Sequence, residues 1–311
     1  MKRKVIFIGG PTAGGKSALA LELAERLGGV IVNADSMQVY VELRVLTARP
    51  SAAEEARVPH HLYGHRRGDD PSSAAAWADE ALKVLDDAWD AGRIPVVVGG
   101  TGLYFRTLIE GIAPVPDIPD AVRQSVRARL ADEGPEALHA MLRQHDPELA
   151  ARLAPGDSQR IARAVEVWEA TGRPLSEWQR VPPAGGLRER DDVEIHAFAL
   201  IPPRHALHER CDRRFLRMVH EGGALDEVAA LLALRYDPAL PVMKALGVPE
   251  LAAHIRGEIA LETAITRAQA ATRQYAKRQC TWFRNQFPDW PQGDAKFLES
   301  QIATIFPFIK N

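Results

Sequence analysis

The sequence predicts an α/β protein built on a parallel sheet flanked by helices, with a mostly helical insertion. Three observations predict this fold class. Apolar, strand-like runs alternate with helix-like segments over the first third of the chain. The glycine-rich string "GGPTAGGKS" lies between the first such run and the first helix. After the proline-rich string "IAPVPDIP" the chain becomes mainly helical in character.

The elements of the core follow in order along the chain. Residues 4–8 form a continuous apolar run, which is typical of a parallel strand covered on both faces. Residues 16–27 carry leucines at helical spacing and are followed by two glycines, which indicates a helix and its end. Three further elements are predicted: a strand over 30–35, a helix over 72–92 that begins with capping serines, and a strand over 94–102 that opens into a glycine-rich turn.

The second half of the chain divides at a change of character. Residues from about 120 to 180 have helical patterns, residues 193–200 return to strand character, and most of the remainder is again helical. We therefore predict a core formed by residues 1–112 and 196–311, with C-terminal helices. A helical insertion at 113–195 interrupts it.

Composition excludes several classes of protein. No run approaches the roughly 18 apolar residues of a membrane span. The basic and then apolar N-terminus is interpreted as a buried strand rather than a targeting segment. Two cysteines, Cys211 and Cys280, predict a reducing, cytoplasmic environment without disulfides or a zinc site. "PHH" at 59–61 lacks metal-binding partners and is assigned to packing or loop structure. The net charge of −2 means that any nucleic-acid signal has to be local.

The string "GGPTAGGKS" fits the phosphate-loop pattern in full. Gly10 and Gly15 let successive backbone N–H groups point inward, and the helix that follows presents its positive end to an anion. Lys16 adds a charge, and the Ser17 hydroxyl is suited to holding Mg²⁺. The sequence therefore predicts a phosphate site in a core like that of P-loop NTPases, with a nucleoside triphosphate as the default ligand.

Two polar residues stand at the ends of predicted strands, at the same edge of the sheet. Asp35 is either a helix cap, a Mg²⁺-holding carboxylate or a general base. Thr101 is either a helix cap or a hydrogen-bond donor to a substrate. Because ligands bind outside the carboxyl ends of parallel strands, the two residues together favour a site over two independent caps.

The segment 264–288 contains five basic residues and no acidic one. At helical spacing, Arg273, Lys277 and Arg284 share a face, and Tyr275 lies on a neighbouring face with Trp282. Basic residues interleaved with aromatic ones suit a nucleic-acid backbone with stacked bases. The alternative is a solvated basic helix whose aromatic side chains face the core.

Two other basic patterns are open to more than one interpretation. Arg210, Arg214 and Arg217 recur at helical spacing, and they either clamp a diphosphate or coat a helix. Arg160 and Arg163 form a smaller basic patch within the predicted insertion.

The strings that carry these features resemble bacterial tRNA dimethylallyltransferases, the IPP transferase family. They occur in the order found in that family over about residues 4–290: "GPTAGGKS", "NADSMQVY", "TARP", "PHHLYG", "GRIPVVVGGTGLYF", "DSQRIARAVEV", "LHERCDRRF" and "TRQYAKRQCTWFRN". The resemblance implies transfer of a dimethylallyl group from dimethylallyl diphosphate to N6 of the adenosine 3′-adjacent to the anticodon, at position 37. The tRNAs concerned read codons that begin with U, and no nucleoside triphosphate is used.

The same resemblance implies residue roles. Asp35 is expected to take the N6 proton and Thr101 to donate to the bridging oxygen, while Lys16 and Arg214 stabilise the departing diphosphate. The donor diphosphate and Mg²⁺ are expected on the phosphate loop, which comprises Gly10, Pro11, Thr12, Ala13, Gly14, Gly15, Lys16 and Ser17, with Ser17 as the metal-binding residue. The residues expected to contact the tRNA anticodon stem-loop are Asp35, Ser36, Met37, Gln38, Thr101, Arg123, Gln159, Arg160, Ile161, Ala162, Arg163, Arg273, Lys277 and Arg278.

One segment departs from the family pattern. The family string is roughly "RGMDIGTAKP", whereas this chain has "VELRVLTARP", with Glu42, Arg44 and Leu46 in place of a glycine, an aspartate and a second glycine. The local loop shape is therefore expected to differ. The resemblance is to the bacterial form, for which no C-terminal zinc-finger extension is expected.

Two other functions fit part of the pattern. A small-molecule or nucleotide kinase shares the loop and the sheet, but it gives no reason for the basic, aromatic helix. A non-catalytic tRNA-binding P-loop protein leaves Asp35 and Thr101 without a task. A monomer is expected, because tRNA supplies a large partner surface.

Overall fold

The computed structural model describes residues 2–70 and 72–294, and the chain divides into two compact units. One unit comprises Met1–Ile109 and Arg190–Asn311, and the other comprises Glu110–Glu189. Residues 295–311, which the sequence analysis assigned to the core, lie outside the described residues.

A six-stranded, fully parallel sheet forms the centre of the first unit and confirms the predicted α/β fold class. The strands lie in the order β3-β2-β4-β1-β5-β6. Their bounds are β1 Arg3–Gly9, β2 Val30–Asn33, β3 His60–His61, β4 Pro95–Gly99, β5 Val193–Leu200 and β6 Gln292–Gly293. Residues 5–9 of β1 and all of β4 are buried because helices cover both faces of the sheet.

Helices connect the strands of this unit and continue after β5. They are α1 Lys16–Leu27, α2 Ala52–Glu55, α3 Ala74–Asp90 and α4 Gly102–Glu110, and, after the insertion, α9 Arg204–His220, α10 Ala224–Ala233, α11 Val248–Ile255 and α12 Leu261–Gln286. As predicted, α1 ends at the left-handed Gly28, and Ser73 caps α3 by accepting a hydrogen bond from the Ala76 amide. None of the described helices is long and apolar enough to cross a membrane.

The second unit is helical and has its own core. Its helices are α5 Asp120–His145, α6 Pro147–Arg152, α7 Ser158–Thr171 and α8 Leu175–Arg180. Helix α5 is kinked at Gly134, just before Pro135. The core includes Val126, Leu138 and Ile161, which are fully buried.

The structure corrects three local predictions. The predicted strand 30–35 ends at Asn33, whose side chain binds the backbone N–H and C=O of Asp35 and so turns the chain. No described helix follows Asp35 directly, so its interpretation as a helix cap is wrong. "PHH" contains the short edge strand β3, which is too brief for an alternation pattern to be visible in the sequence.

Candidate functional site

A cavity of about 310 Å³ lies at the edge of the sheet where β1, β2 and β4 end. This is where an open parallel sheet binds its ligands. The cavity wall combines the phosphate loop, one carboxylate, three guanidinium groups and apolar side chains. The lining residues are Thr12, Ala13, Gly14, Gly15, Lys16, Ser17, Ala18, Asp35, Gln38, Thr47, Ala48, Tyr63, Val98, Gly99, Arg210, Arg214 and Arg217.

The phosphate loop has the backbone that its sequence predicts. Gly10 has a φ of 141°, and a Cβ there would lie 2.2 Å from the Leu200 carbonyl oxygen, so only glycine fits. Ala13 has a φ of 58°, a conformation that costs a non-glycine residue about 1–2 kcal/mol. Backbone held in this way directs N–H groups into a shared concavity suited to an anion.

Lys16 is held against its own loop. Its Nζ donates a hydrogen bond of 2.7 Å to the carbonyl oxygen of Pro11. Burial lowers the pKa of Lys16 to about 8, while the nearby Asp35 carboxylate acts in the opposite direction and Arg214 adds to the lowering. The cavity therefore holds an ammonium group that an incoming anion would stabilise in its charged form.

Three arginines of α9 reach the cavity. Arg214 lies deepest: burial lowers its pKa, and its guanidinium donates to the Thr12 hydroxyl of the phosphate loop. Arg210 and Arg217 line the same wall. Of the two interpretations of this stripe, an anion clamp therefore fits better than a solvated coat on a helix.

Asp35 lines the cavity, and hydrogen bonds hold both its side chain and its backbone. Its Oδ1 accepts a hydrogen bond of 2.9 Å from the Met37 amide. Its backbone N–H donates to Oδ1 of Asn33, and the Asn33 amide also donates to the Leu62 carbonyl. Asp35 Oδ2 accepts no hydrogen bond from any residue that the structure describes. That oxygen is available to accept a proton from a substrate.

Asn33 is a site residue that sequence reasoning missed. It is fully buried at the end of β2, and its backbone carbonyl accepts from the Trp77 indole. The available signal was a polar residue within an otherwise apolar strand, since a buried amide needs partners and so fixes the backbone around it.

Thr101 stands directly before α4, in the position of a helix cap, but its side chain is used elsewhere. The Thr101 hydroxyl accepts from the Ser36 backbone N–H at 2.9 Å and lies 3.2 Å from the Ser36 hydroxyl. It also shares a hydrogen bond with Tyr275, a residue whose pKa is raised by burial. The hydroxyl thus links the loop that carries Asp35 to the turn after β4, and the simple helix-cap alternative does not hold.

The segment "VELRVLTARP", which differs from the family pattern, forms an ordered loop beside the cavity. A single carboxylate on α10, Glu227, accepts from the successive backbone amides of Arg44, Val45 and Leu46 at 2.6, 2.7 and 2.9 Å. The Gln38 side chain donates to the carbonyls of Thr47 and Ala48, two lining residues, at 2.8 and 3.0 Å. The loop shape is therefore set by contacts distant in sequence.

We expect Glu227→Ala to lower the free energy of unfolding by about 1–3 kcal/mol, because it leaves partly buried amides without their charged acceptor. Thermal or urea unfolding measures this loss. Asp226→Ala is the matched control, because Asp226 is exposed in the same first turn of α10 and should cost less than about 0.5 kcal/mol. Equal losses in both variants would mean that only the helix dipole is involved.

The exposed face of α12 bears a second cavity, of about 470 Å³, outside the main site. Its wall combines cations, an indole and amides, as expected for an RNA-binding surface. The lining residues are Gln274, Lys277, Arg278, Thr281, Trp282, Asn285 and Gln286. We call this surface the α12 groove. Arg278 also lies over the Tyr275 ring, at 5.7 Å from its centroid.

Helical spacing placed Arg273 on one face with Lys277, but Arg273 does not line the α12 groove. Its guanidinium forms an ion pair with Asp212 of α9, with Nη1 and Oδ1 separated by 2.5 Å. Its charge is thus compensated within the protein, and it links α9 to α12, so we expect it to contribute less to tRNA binding than the exposed Lys277 and Arg278. Lys277 and Arg278 are exposed in the groove.

The remaining predicted tRNA contacts lie in the second unit. Arg123 is half-buried near the start of α5, while Gln159, Arg160 and Arg163 are exposed on α7. Ile161 and Ala162 are 0% and 7% exposed and pack into the core of this unit, so contacts through their side chains were wrongly predicted. The helical period places neighbours of an exposed position on the buried face.

The residues at the phosphate loop could hold the predicted Mg²⁺ only if a bound substrate supplied further oxygen ligands. Among the described residues, no group of three or more His, Cys, Asp or Glu side chains is placed to hold a metal. Ser17 and Asp35 line the same cavity and offer oxygen atoms, the ligand type that Mg²⁺ prefers. Mg²⁺ commonly completes its coordination with waters and substrate phosphates, so this donor set fits it.

Comparison with known proteins gives a consistent result. The family model described as IPP transferase matches residues 38–286. The chain is 55% identical over 309 residues to the tRNA dimethylallyltransferase of Parvibaculum lavamentivorans, covering 98% of this chain and 96% of that protein. It is 59% identical over 287 residues to the protein of the same name from Rhodospirillum centenum, covering 91% and 89%.

Two solved structures are similar over nearly the whole chain. The tRNA isopentenylpyrophosphate transferase from Bacillus halodurans is 32% identical, with a TM-score of 0.70 and coverage of 99% of this chain and 96% of that chain. A eukaryotic dimethylallyltransferase acting on tRNA is 27% identical, with a TM-score of 0.82 and coverage of 99% and 80%.

Proposed function

Because this chain belongs to the IPP transferase family, we propose that it is a tRNA dimethylallyltransferase. In this proposal it transfers a dimethylallyl group from dimethylallyl diphosphate to N6 of adenosine 37, next to the anticodon, in tRNAs that read codons beginning with U. The products are N6-(dimethylallyl)adenosine and diphosphate. The names of its relatives support the reaction, and the cavity supports the assignment of roles.

One observation carries the proposal: a carboxylate oxygen that accepts no hydrogen bond from the described residues shares one cavity with a cationic phosphate loop. The loop, Lys16 and Arg214 form the end suited to a diphosphate, and Asp35 faces the same space. A substitution at carbon needs such an arrangement, because the leaving group collects negative charge while the nucleophile gives up a proton.

The proposed reaction is a displacement at C1 of the prenyl group. The adenine N6 forms a bond to C1 as the bond from C1 to the bridging oxygen breaks, and diphosphate leaves with that electron pair. The N6 lone pair is delocalised into the ring, so N6 is a weak nucleophile. Asp35 Oδ2 therefore accepts its proton as the new bond forms. Thr101 is proposed to donate to the bridging oxygen.

Charge at the leaving group is met by fixed groups. Lys16, Arg214 and the phosphate loop line one cavity, and the proposal places the diphosphate against them as it gains negative charge. Ser17 is proposed to hold Mg²⁺ together with the diphosphate, and the metal supplies further charge compensation. The target base is stacked in its anticodon loop, so the enzyme has to extrude it before transfer.

A kinase activity and a non-catalytic tRNA-binding role are not favoured. The family match covers residues 38–286, which end with α12, and the similar proteins are transferases named for tRNA. A cytoplasmic location and a monomeric state accompany the proposal, because tRNA is a cytoplasmic substrate with a large surface of its own.

The test is incubation of the chain with dimethylallyl diphosphate, Mg²⁺ and unmodified tRNA, followed by nucleoside mass spectrometry. We expect prenylated adenosine without added nucleoside triphosphate. Omitting Mg²⁺ tests the metal, and an adenosine-37-to-guanosine tRNA tests the position. Product that appears only with ATP, or no product at all, would contradict the proposed function.

We expect Lys277→Ala to weaken tRNA binding and to reduce the salt dependence of log Kd by about one unit of slope, because one phosphate contact is lost. The KM for the donor should not change. Arg273→Ala is the matched control on the same helix, because its charge is already paired with Asp212. It should lower thermal stability while leaving the salt slope unchanged. An unchanged slope in Lys277→Ala would remove the α12 groove from the tRNA interface.

A further inference from the structure

Gln279 of α12 joins two loops of the active-site cavity. Its Oε1 accepts a hydrogen bond of 2.8 Å from the backbone N–H of Thr12, and its Nε2 donates one of 2.8 Å to the carbonyl oxygen of Gly100. Thr12 belongs to the phosphate loop, and Gly100 directly precedes Thr101. A single amide side chain therefore bonds to both the loop and the turn that carries Thr101.

The surroundings of Gln279 leave it little freedom. The residue is only 5% exposed; its hydrogen bond to Gly100 is buried and its hydrogen bond to Thr12 is partly buried. A Cβ on residue 100 would lie 2.2 Å from Gln279 Nε2, which means that glycine at this position permits the close approach. Unpaired backbone groups at this depth are strongly disfavoured, so the two loops are held at a fixed separation.

The chemistry at the two ends of this bridge differs. Thr12 is also held through its hydroxyl by Arg214, and it belongs to the end proposed for the diphosphate. Thr101, which is proposed to donate to the bridging oxygen, accepts from the backbone N–H of Ser36, the neighbour of Asp35, and so connects that oxygen with the loop that carries the proposed base. We infer that Gln279 is a positioning residue that sets the distance between the phosphate loop, proposed to hold the diphosphate, and the turn that carries Thr101, proposed to reach the bridging oxygen. This inference rests on the proposed function.

Glutamine is suited to this task because it offers one acceptor and one donor on a neutral group. A methionine has a similar shape but neither hydrogen bond. A glutamate keeps the acceptor for the Thr12 N–H, but its ionised form places a second oxygen against the Gly100 carbonyl. When protonated, it regains a donor, so its behaviour should depend on pH.

The experiment compares kcat, the two KM values and tRNA Kd for wild type, Gln279→Met, Gln279→Glu and Gln269→Met. Gln269 is the matched control, since its amide donates to the Asp212 carbonyl from the same helix but away from the loops. We expect Gln279→Met to lower kcat on the order of 10²-fold, since small errors of alignment have effects of that size. Its tRNA Kd and the kinetics of Gln269→Met should stay within about twofold of wild type.

Gln279→Glu supplies a second measurement, the pH dependence of kcat. A change in side-chain volume or in stability alone would not produce that dependence. The ratio of its kcat to that of wild type should rise as the pH falls, because protonation restores the hydrogen bond to Gly100. This arm also carries the test if the methionine variant does not fold. A kcat for Gln279→Met near that of the Gln269→Met control, a pH-independent ratio for Gln279→Glu, or a loss confined to tRNA binding would overturn the inference. Absence of prenyl transfer in wild type and Gln269→Met alike would instead contradict the proposed function.

Discussion

Replacing Asp35 by asparagine is expected to lower kcat for dimethylallyl transfer by about 10²–10⁴-fold, the usual contribution of a positioned general base. Asparagine keeps an oxygen for the Met37 amide and hence the turn that Asp35 supports. It removes the carboxylate that accepts the N6 proton. The affinity for tRNA should therefore remain close to that of wild type, and single-turnover prenylation with saturating donor and tRNA measures the chemical loss.

Two further variants separate the base from other roles of Asp35. Asp35→Ala removes both the base and the acceptor for Met37, so we expect a similar loss of kcat with an added loss of stability. Asp79→Asn removes one exposed carboxylate on α3 and controls for net charge. An Asp35→Asn enzyme that retains the wild-type rate would eliminate Asp35 as the base.

The fold class and part of the site could be predicted because their signals are local. The phosphate loop is contiguous in the sequence, so "GGPTAGGKS" predicted both its backbone and its place between β1 and α1. Asp35 and Thr101 could be found because each follows an apolar strand, and the carboxyl ends of parallel strands meet at one edge. Even there, the interpretation of Asp35 as a helix cap was wrong, since the chain after it turns instead of forming a helix.

The residues that fix the site were not predictable in this way, because their partners are distant along the chain. Glu227 binds amides more than 180 residues away, and Gln279 binds an amide 267 residues away. Arg273 has the spacing of an RNA-binding residue, but Asp212 on another helix compensates its charge. A pattern along one helix shows which residues share a face. It does not show which of their charges form ion pairs with residues of a neighbouring helix.

Lys16→Met is expected to lower kcat by about 10²–10³-fold, the effect of removing one group that stabilises charge on the departing atoms. Methionine retains much of the volume of the lysine stem and cannot donate to the Pro11 carbonyl or to a diphosphate. In wild type the pKa of Lys16 is lowered to about 8 by burial, so the free enzyme loses this charge as the pH rises above 8.

The diphosphate favours the ammonium form of Lys16, so its binding raises the pKa of Lys16. When the pH is above the pKa that Lys16 has in the free enzyme, binding therefore takes up a proton. Donor affinity should therefore be nearly constant below about pH 8 as far as Lys16 is concerned, and should fall by up to about tenfold per pH unit above it. Titration calorimetry in two buffers of different ionisation enthalpy measures both the affinity and the proton uptake. The Lys16→Met protein should bind the donor weakly and without this pH dependence. If it showed the same decline above pH 8 as wild type, the titrating group would lie elsewhere in the cavity, and Lys16 would not be the cation that meets the leaving group.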